Sequence, residues 1–196
     1  SCLASLSLGA FDSDGSLEIL YDFGGGVAGF QVDVSGLALT GASGGAADAS
    51  GLMVSTGGST VVGFSLTNTE IPAGSGVLTV LSFSGITADV TELSLGNFGA
   101  VTDASGNVYT TTASDSITHS TDCAGDYYGD AWESDCGCVA ADNSGDDCDD
   151  CSGTPNGDAV IDDCGVCGGG NASQDECGVC DGPGADVGFD CEGNCV

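Results

Sequence analysis

The stretch that decides the fold of the first part of the chain is LEILYDFGGGVAGFQVDVSGLALTGASGG, residues 17–45. Apolar side chains recur at every second position over residues 17–23 and again over residues 30–34. A run of three glycines at 24–26 separates the two segments. Period two with aromatic and β-branched residues predicts two half-buried β-strands joined by a turn.

The same pattern continues along the first 121 residues. Apolar residues alternate over 62–66 and run together over 77–83, and residues 46–50 are the only short helical candidate. Turn-forming clusters separate these segments at 12–15, 41–51, 57–58, 72–76 and 103–107. Short strands at this spacing predict an all-β sandwich over residues 1–121. About 120 residues are enough for one sizeable core.

The charge balance excludes several functions. The 196 residues include 30 Asp and Glu, one His and no Lys or Arg, for a formal net charge of −30. Nucleic acids and anionic membrane surfaces need a basic patch, so we expect neither as a partner. No apolar run reaches the length of a membrane span. Because the carboxylates repel one another and cannot pair with Lys or Arg, bound cations are the expected remedy, and Ca²⁺ suits oxygen ligands.

The composition changes near residue 121. Residues 122–196 hold 11 of the 12 cysteines and 19 of the 30 acids. Residues 122–137 align without gaps on residues 150–165, and many cysteine pairs lie 13 positions apart. A fixed period indicates a repeat array. We therefore predict a second domain over 122–196, an irregular repeat tail held by disulfides and metal in place of a core, with a linker at 118–121 that carries His119.

Twelve cysteines in a chain of this size indicate an oxidising, extracellular setting, reached after removal of a signal peptide or within a longer secreted protein. We predict that all are disulfide cysteines: Cys2, Cys123, Cys136, Cys138, Cys148, Cys151, Cys164, Cys167, Cys177, Cys180, Cys191 and Cys195. Their connectivity does not follow from the sequence. Because the tail count is odd, one tail cysteine is unpaired, bonds Cys2 in the same chain or bonds another molecule. A four-thiolate zinc site at Cys164, Cys167, Cys177 and Cys180 is a weaker alternative.

Acids and amides recur through the repeat in Gly-rich loops, which turn backbone carbonyls inward. Carboxylate, amide and carbonyl oxygens are calcium ligands. A solvated acidic face is the competing interpretation. The candidate metal ligands are Asp122, Asp126, Asp130, Asp135, Asp150, Asn156, Asp158, Asp162, Asp163, Asn171, Asp175, Asp181, Asp186 and Asp190.

Two motifs in the first part carry a family resemblance. GFQVD at residues 29–33, followed later by IPAGSGVL at 71–78, resembles the pattern of cohesin domains. The resemblance covers roughly residues 3–118. It implies a jelly-roll β-sandwich of about nine strands and a docking module of an extracellular scaffold, with a dockerin-like protein as partner.

The tail carries a second resemblance. CGVCGGGN at residues 164–171 and CGVCDG at 177–182 are similar to the D-C-x-G-x3-G and C-G-V-C repeats of large secreted proteins, and more distantly to thrombospondin type 3 calcium repeats. The segments at 136–138 and 190–195 depart from the regular unit. The pairing of regular units therefore does not carry over to those two places.

Smaller motifs add little chemistry. Asn171 begins an N-glycosylation sequon. Asp12 and Asp14 fall in a segment that is more typical of a hairpin turn than of a calcium loop. Tyr127, Tyr128 and Trp132 are a glycan platform or, in our preferred interpretation, packing for a poor core. The single His119 offers no Ser-His or Cys-His pair, so we do not expect an enzyme.

Taken together, these features predict an extracellular structural protein that self-assembles as a filament, sheath or surface array, through the sandwich and a calcium-binding tail. Contacts between copies would use metal or an intermolecular disulfide. The alternative is a binding module for a dockerin-like protein or a glycan, with the tail as a rigid spacer.

Overall fold

The computed structural model describes residues 3–195. The chain divides into two compact units, Ser1–Ser120 and Thr121–Val196. Cys2, which the sequence predicts to be a disulfide cysteine, lies outside the described residues.

The first unit contains ten strands and one short helix in its described part. They are β1 (Leu3–Asp12), β2 (Ser16–Phe23), β3 (Gly29–Ser35), β4 (Leu37–Ser43), α1 (Gly45–Ala49), β5 (Met53–Gly57), β6 (Thr60–Phe64), β7 (Gly74–Ile86), β8 (Val90–Ser94), β9 (Ala100–Thr102) and β10 (Thr110–Thr118). The predicted strands over 17–23 and 30–34 are confirmed as β2 and β3. The predicted helix over 46–50 is α1, shifted by one residue.

The strands form two layers that meet at β10. The strand order is β4-β7-β2-β1-β10-β8-β3-β6-β5, with β9 pairing β3. The first half of β10 runs parallel to β1, with Thr110 opposite Leu3, and its second half runs antiparallel to β8, with Ser114 opposite Ser94. Because one strand pairs with both layers in turn, the unit is a jelly-roll β-sandwich, as expected. The unit has ten strands where about nine were expected, and one of the ten, β9, is only three residues long.

The core lies between the layers and follows the period-two pattern. Leu17 and Ile19 of β2 and Val32 and Val34 of β3 are fully buried. The intervening residues point away from this core. Gly15 N–H donates to the carbonyl of Asp12 at 3.0 Å, which confirms a hairpin turn at residues 12–15. The predicted alternation over 62–66 is wrong, because Val61 and Gly63 are the buried positions of β6, Phe64 is exposed, and β6 stops before the exposed Leu66.

His119 is not part of a linker, and that expectation was wrong. Its side chain is buried and its Nε2 lies 2.7 Å from the Thr91 hydroxyl. The imidazole packs 4.9 Å from the ring of Phe11. Desolvation lowers the pKa of His119, while the charge of Asp89 works in the opposite direction. The polar character of 118–121 hid the fact that the residue directly after β10 is buried.

The second unit has almost no regular secondary structure. A hairpin of β11 (Trp132–Ser134) and β12 (Gly137–Val139) is its only strand pair in the described part of the chain. Every buried hydrophobic side chain among residues 3–195 belongs to the first unit. The second unit therefore has to be held together by bonds other than apolar contacts. No helix within residues 3–195 is long and apolar enough to cross a membrane.

Candidate functional site

Five disulfides connect the turns of the second unit. They join Cys123 to Cys138, Cys136 to Cys148, Cys151 to Cys167, Cys164 to Cys180 and Cys177 to Cys191. Each closes a short loop, with partners 12 to 16 positions apart. Cys195 is exposed and free. The count of 11 tail cysteines predicted an odd one, and the structure shows that it is Cys195. The five disulfides fit an oxidising, extracellular compartment.

The zinc alternative does not fit this pairing. Of its four proposed ligands, Cys164 bonds Cys180, while Cys167 and Cys177 belong to two further disulfides. A cysteine needs a free thiolate to bind zinc. The 13-residue recurrence therefore reflects bonds from one turn to the next.

A hydrogen-bonded aspartate turn is the second repeating feature, and Asp150 shows it most completely. Its Oδ1 accepts the backbone N–H groups of Ser152 at 2.9 Å and Thr154 at 3.0 Å, together with the Ser152 hydroxyl at 2.6 Å. Its Oδ2 accepts the N–H of Ala159 at 3.0 Å. A carboxylate has about four lone-pair sites. At Asp150 three hydrogen bonds go to Oδ1 and one goes to Oδ2.

The same geometry recurs at three further turns and in part at a fourth. In each complete turn, Oδ1 accepts the N–H groups two and four residues ahead, and Oδ2 accepts the N–H nine residues ahead. Asp122 follows this pattern with Ala124, Asp126 and Ala131 at 2.9 to 3.0 Å. The others are Asp162, Asp175 and, for the first two bonds only, Asp190. We call these five side chains the aspartate locks.

A glycine seven residues after each complete lock makes room for its carboxylate. A Cβ at Gly129, Gly157, Gly169 or Gly182 would overlap Oδ2 of the lock aspartate. Glycine is the residue that permits such a close approach to a backbone. The repeat therefore carries the pattern Asp-x6-Gly for a steric reason.

The hydrogen bonds stabilise the charged form of the locks. The Ser152 hydroxyl, followed by the N–H groups of Thr154 and Ala159, lowers the pKa of Asp150 to about 2. The pKa values of the other four are also lowered, chiefly by the backbone N–H four residues ahead. Hydrogen bonds to a carboxylate favour ionisation. The locks are thus charged at neutral pH.

The remaining candidate metal ligands lie outside the locks. The acids are exposed: Asp126, Asp130, Asp135, Asp158, Asp163, Asp181 and Asp186. Asn171 is paired locally, since its Oδ1 accepts the N–H of Asp163 at 2.9 Å and its Nδ2 donates to the Asp163 carboxylate at 2.9 Å. Asn156 has a positive φ of 51° and occupies a turn.

None of the candidate metal ligands belongs to a group of three His, Cys, Asp or Glu side chains whose ligand atoms lie together in the described part of the chain. Within residues 3–195, two groups of three side chains bring potential ligand atoms within 4.8 Å of one another, Cys123 with Glu133 and Cys138, and Cys136 with Cys148 and Asp149. Both groups contain a disulfide, so each offers one carboxylate and no thiolate. Calcium takes six to eight oxygens. Calcium binding, glycosylation of Asn171 and the absence of catalysis stay predictions.

Two residues of the aromatic cluster in the tail, Trp132 and Tyr128, are partly packed and partly exposed. The Trp132 ring lies close to Gly145, where an added Cβ would come within 2.6 Å of its Cη2. Trp132 and Tyr128 are both about two-fifths exposed. Trp132 therefore packs on the loop closed by Cys136 and Cys148, and part of its ring still faces solvent.

An exposed apolar row crosses the outer surface of the sandwich. The register places Met53 opposite Phe64, Phe64 opposite Gly29, Gly29 opposite Thr102 and Thr102 opposite Val108. Opposed residues point to the same face of a sheet. The adjacent rung is buried at Phe30 and Val101, so the row faces away from the core.

This apolar row was missed by the sequence analysis. Met53 and Val108 are 54% and 69% exposed, and Phe64 is 39% exposed. Single exposed apolar residues are ordinary on protein surfaces, whereas several on one face of a sheet make that face a candidate interaction surface. The signal is visible only with the strand register, because the row draws on β3, β5, β6, β9 and the segment that contains Val108.

Neither a known protein family nor a curated protein matches the sequence. Among solved structures, the chain is similar to a non-cellulosomal cohesin from the hyperthermophilic archaeon Archaeoglobus fulgidus. The sequences are 14% identical, the match covers 59% of this chain and 89% of that one, and the TM-score is 0.41.

Two further solved structures are similar over the same share of this chain. The sixth cohesin of Acetivibrio cellulolyticus scaffoldin B, in complex with a dockerin, is 15% identical, with 97% of that chain covered and a TM-score of 0.42. A type III cohesin module from a cell-surface anchoring scaffoldin of Ruminococcus flavefaciens is 12% identical, with 86% covered and a TM-score of 0.39. The assignment of the jelly-roll sandwich rests on the strand order of this chain.

Proposed function

We propose that this chain is an extracellular, non-catalytic docking protein. Its sandwich binds another protein through the apolar row, and its disulfide-linked tail acts as a spacer. The single observation that carries the proposal is the row itself, in which Met53, Phe64 and Val108 are exposed on one face of the sheet. Water-exposed apolar side chains gathered on a rigid sheet favour association with a matching surface.

Charge selects the kind of partner. The chain has no Lys or Arg and a formal net charge of −30. Asp33 stands on the same outward face, four residues along β3 from Gly29. Opposite charges steer association and like charges oppose it. The expected partner is therefore a protein that presents apolar side chains within a basic rim, and its affinity should fall as salt is raised.

The experiment compares surface variants of the full chain. A double variant, Met53→Ser with Phe64→Ser, removes two of the three large apolar side chains of the row, and neither residue belongs to the core. Phe98→Ser is the matched control, because Phe98 is 84% exposed and lies outside the row. Immobilised proteins are mixed with secreted proteins, and the captured partner is then purified and titrated. Docking through the row predicts that the double variant loses binding and that the control keeps it. Equal binding by all three proteins contradicts the proposal.

Covalent self-assembly is a second candidate function, favoured by one observation. Cys195 is exposed and free, while ten other tail cysteines are paired. Because a chain of charge −30 repels copies of itself, assembly needs a covalent bond or bound cations. Non-reducing electrophoresis of the wild type and of Cys195→Ser tests this idea. Assembly predicts oligomers in the wild type that are lost in the variant, and monomers in both exclude it.

A further inference from the structure

We infer that the five aspartate locks are metal-free structural elements, in which backbone N–H groups take the place that a cation would occupy. Asp122, Asp150, Asp162, Asp175 and Asp190 are then not calcium ligands, although their residue type and spacing predict that role. Any calcium bound by the tail has to be held by other oxygens.

The donor chemistry is the first argument. Both oxygens of Asp150 accept hydrogen bonds, from Ser152 and Thr154 on one side and from Ala159 on the other. Calcium binds a carboxylate through the same oxygen lone pairs. A cation bound to Oδ1 would have to displace the donors of Ser152 or Thr154. Hydrogen bonds to a charged group are among the strong ones in proteins.

Repetition is the second argument. The bonds at offsets of two, four and nine residues recur at Asp122, Asp162 and Asp175, with N···O distances of 2.8 to 3.0 Å. The glycine seven residues ahead recurs as well, and a side chain there would push the carboxylate out. A metal site would favour inward carbonyls, whereas these turns aim backbone N–H groups at the carboxylate.

The first unit supplies an internal comparison. Asp103 accepts the N–H groups of Ser105 at 2.9 Å and Asn107 at 2.8 Å, the same offsets of two and four. This turn lies in the sandwich, outside the predicted calcium repeat. The lock is therefore a local property of an Asp-x-x-Gly turn and does not depend on the repeat.

Each lock is also tied to the covalent frame. Cys151 follows Asp150 directly, and Cys164 and Cys177 lie two residues after Asp162 and Asp175. All three cysteines are in disulfides that lead to a neighbouring turn. The carboxylate fixes the conformation of one turn, and the disulfide links that turn to the next one.

Amide hydrogen exchange of the full, oxidised chain tests the inference, measured by NMR with excess EDTA and again with excess CaCl₂. We expect the Thr154 and Ala159 amides to be equally protected in both conditions. Asp150→Asn places an N–H₂ group against one of the N–H donors, so it should raise exchange at Ala159 by roughly tenfold. Asp158→Asn is the matched control, since Asp158 is exposed, and it should leave both amides unchanged.

Calcium titration calorimetry completes the test. We expect Asp150→Asn to leave the calcium stoichiometry of the chain unchanged. Two results would overturn the inference: EDTA alone raises exchange at Thr154 and Ala159 in the wild type, or Asp150→Asn removes a saturable calcium site that Asp158→Asn retains. If Asp150→Asn fails to fold, Gly157→Ala replaces it, because an added Cβ expels the carboxylate without altering its charge, and it should raise exchange at Ala159 by the same roughly tenfold.

Discussion

The disulfide between Cys136 and Cys148 offers a sharp test of how the tail is stabilised. The two residues are 12 positions apart and close the loop that places Gly145 against Trp132. We consider the double variant Cys136→Ala with Cys148→Ala. It leaves no new free thiol and removes one cross-link.

The magnitude follows from loop entropy. A cross-link that closes a loop of this length stabilises a protein by about 3 kcal/mol, through the lost freedom of the unfolded chain. A domain with a large core has other sources of stability. The tail has no such core in its described part, because the buried apolar side chains among residues 3–195 all lie in the sandwich. We therefore expect the free energy of unfolding of the first turns of the tail to fall by about 3 kcal/mol.

Trp132 makes the assay selective, because it is the single tryptophan of the chain. Urea unfolding followed by its fluorescence should show a lower midpoint for the variant, with an emission already shifted to the red before urea is added. The control is Cys177→Ala with Cys191→Ala, which removes a loop of similar size, 14 positions, away from Trp132. An unchanged Trp132 transition in the first variant, or an equal change in the control, would refute the reasoning.

Three further predictions concern the core, the histidine and the acids. Leu17→Ala should destabilise the sandwich by roughly 2–5 kcal/mol in thermal unfolding, because Leu17 is fully buried, whereas Leu66→Ala, at an exposed site, should cost almost nothing. The imidazole of His119 should titrate by NMR with a pKa below the usual 6.5, since burial disfavours its charged form, and a value above 6.5 would contradict its placement. The locks have lowered pKa values, so their contribution to the stability of the tail should be fully present above pH 3.8, the ordinary aspartate value, and should disappear as the pH falls through the folded values, about 2 for Asp150. Trp132 fluorescence and amide exchange measured from pH 5 to 2 should show this loss. A tail that becomes more stable on acidification would contradict the prediction.

The strands of the sandwich were predictable where the pattern is local. Alternation over residues 17–23 gave β2, and the Gly-rich segment after it gave the turn before β3. The closure of the two layers was not predictable in the same way. It depends on β10, which pairs with β1 across more than a hundred positions of sequence and with β8 across about twenty. The placement of His119 depends on that same long-range pairing.

The tail shows a different limit. The spacing of its cysteines revealed a repeat, yet several pairings are compatible with one spacing. Its aspartates were recognisable as a pattern, but a carboxylate can be neutralised by a cation or by N–H donors. The glycine seven residues after Asp150 accompanies the hydrogen-bonded turn, since a Cβ at that position would overlap the carboxylate. That relation is visible in the sequence only when the geometry of the turn is known.

The measurement that tests the docking proposal most directly is a hydrogen-exchange footprint of a captured partner on the full chain. The proposal predicts that protection on binding is confined to β3, β5, β6 and β9, around Phe64 and Met53, with the tail amides unchanged. Protection centred on residues 121–195, with the outer face of the sandwich unaffected, would contradict it.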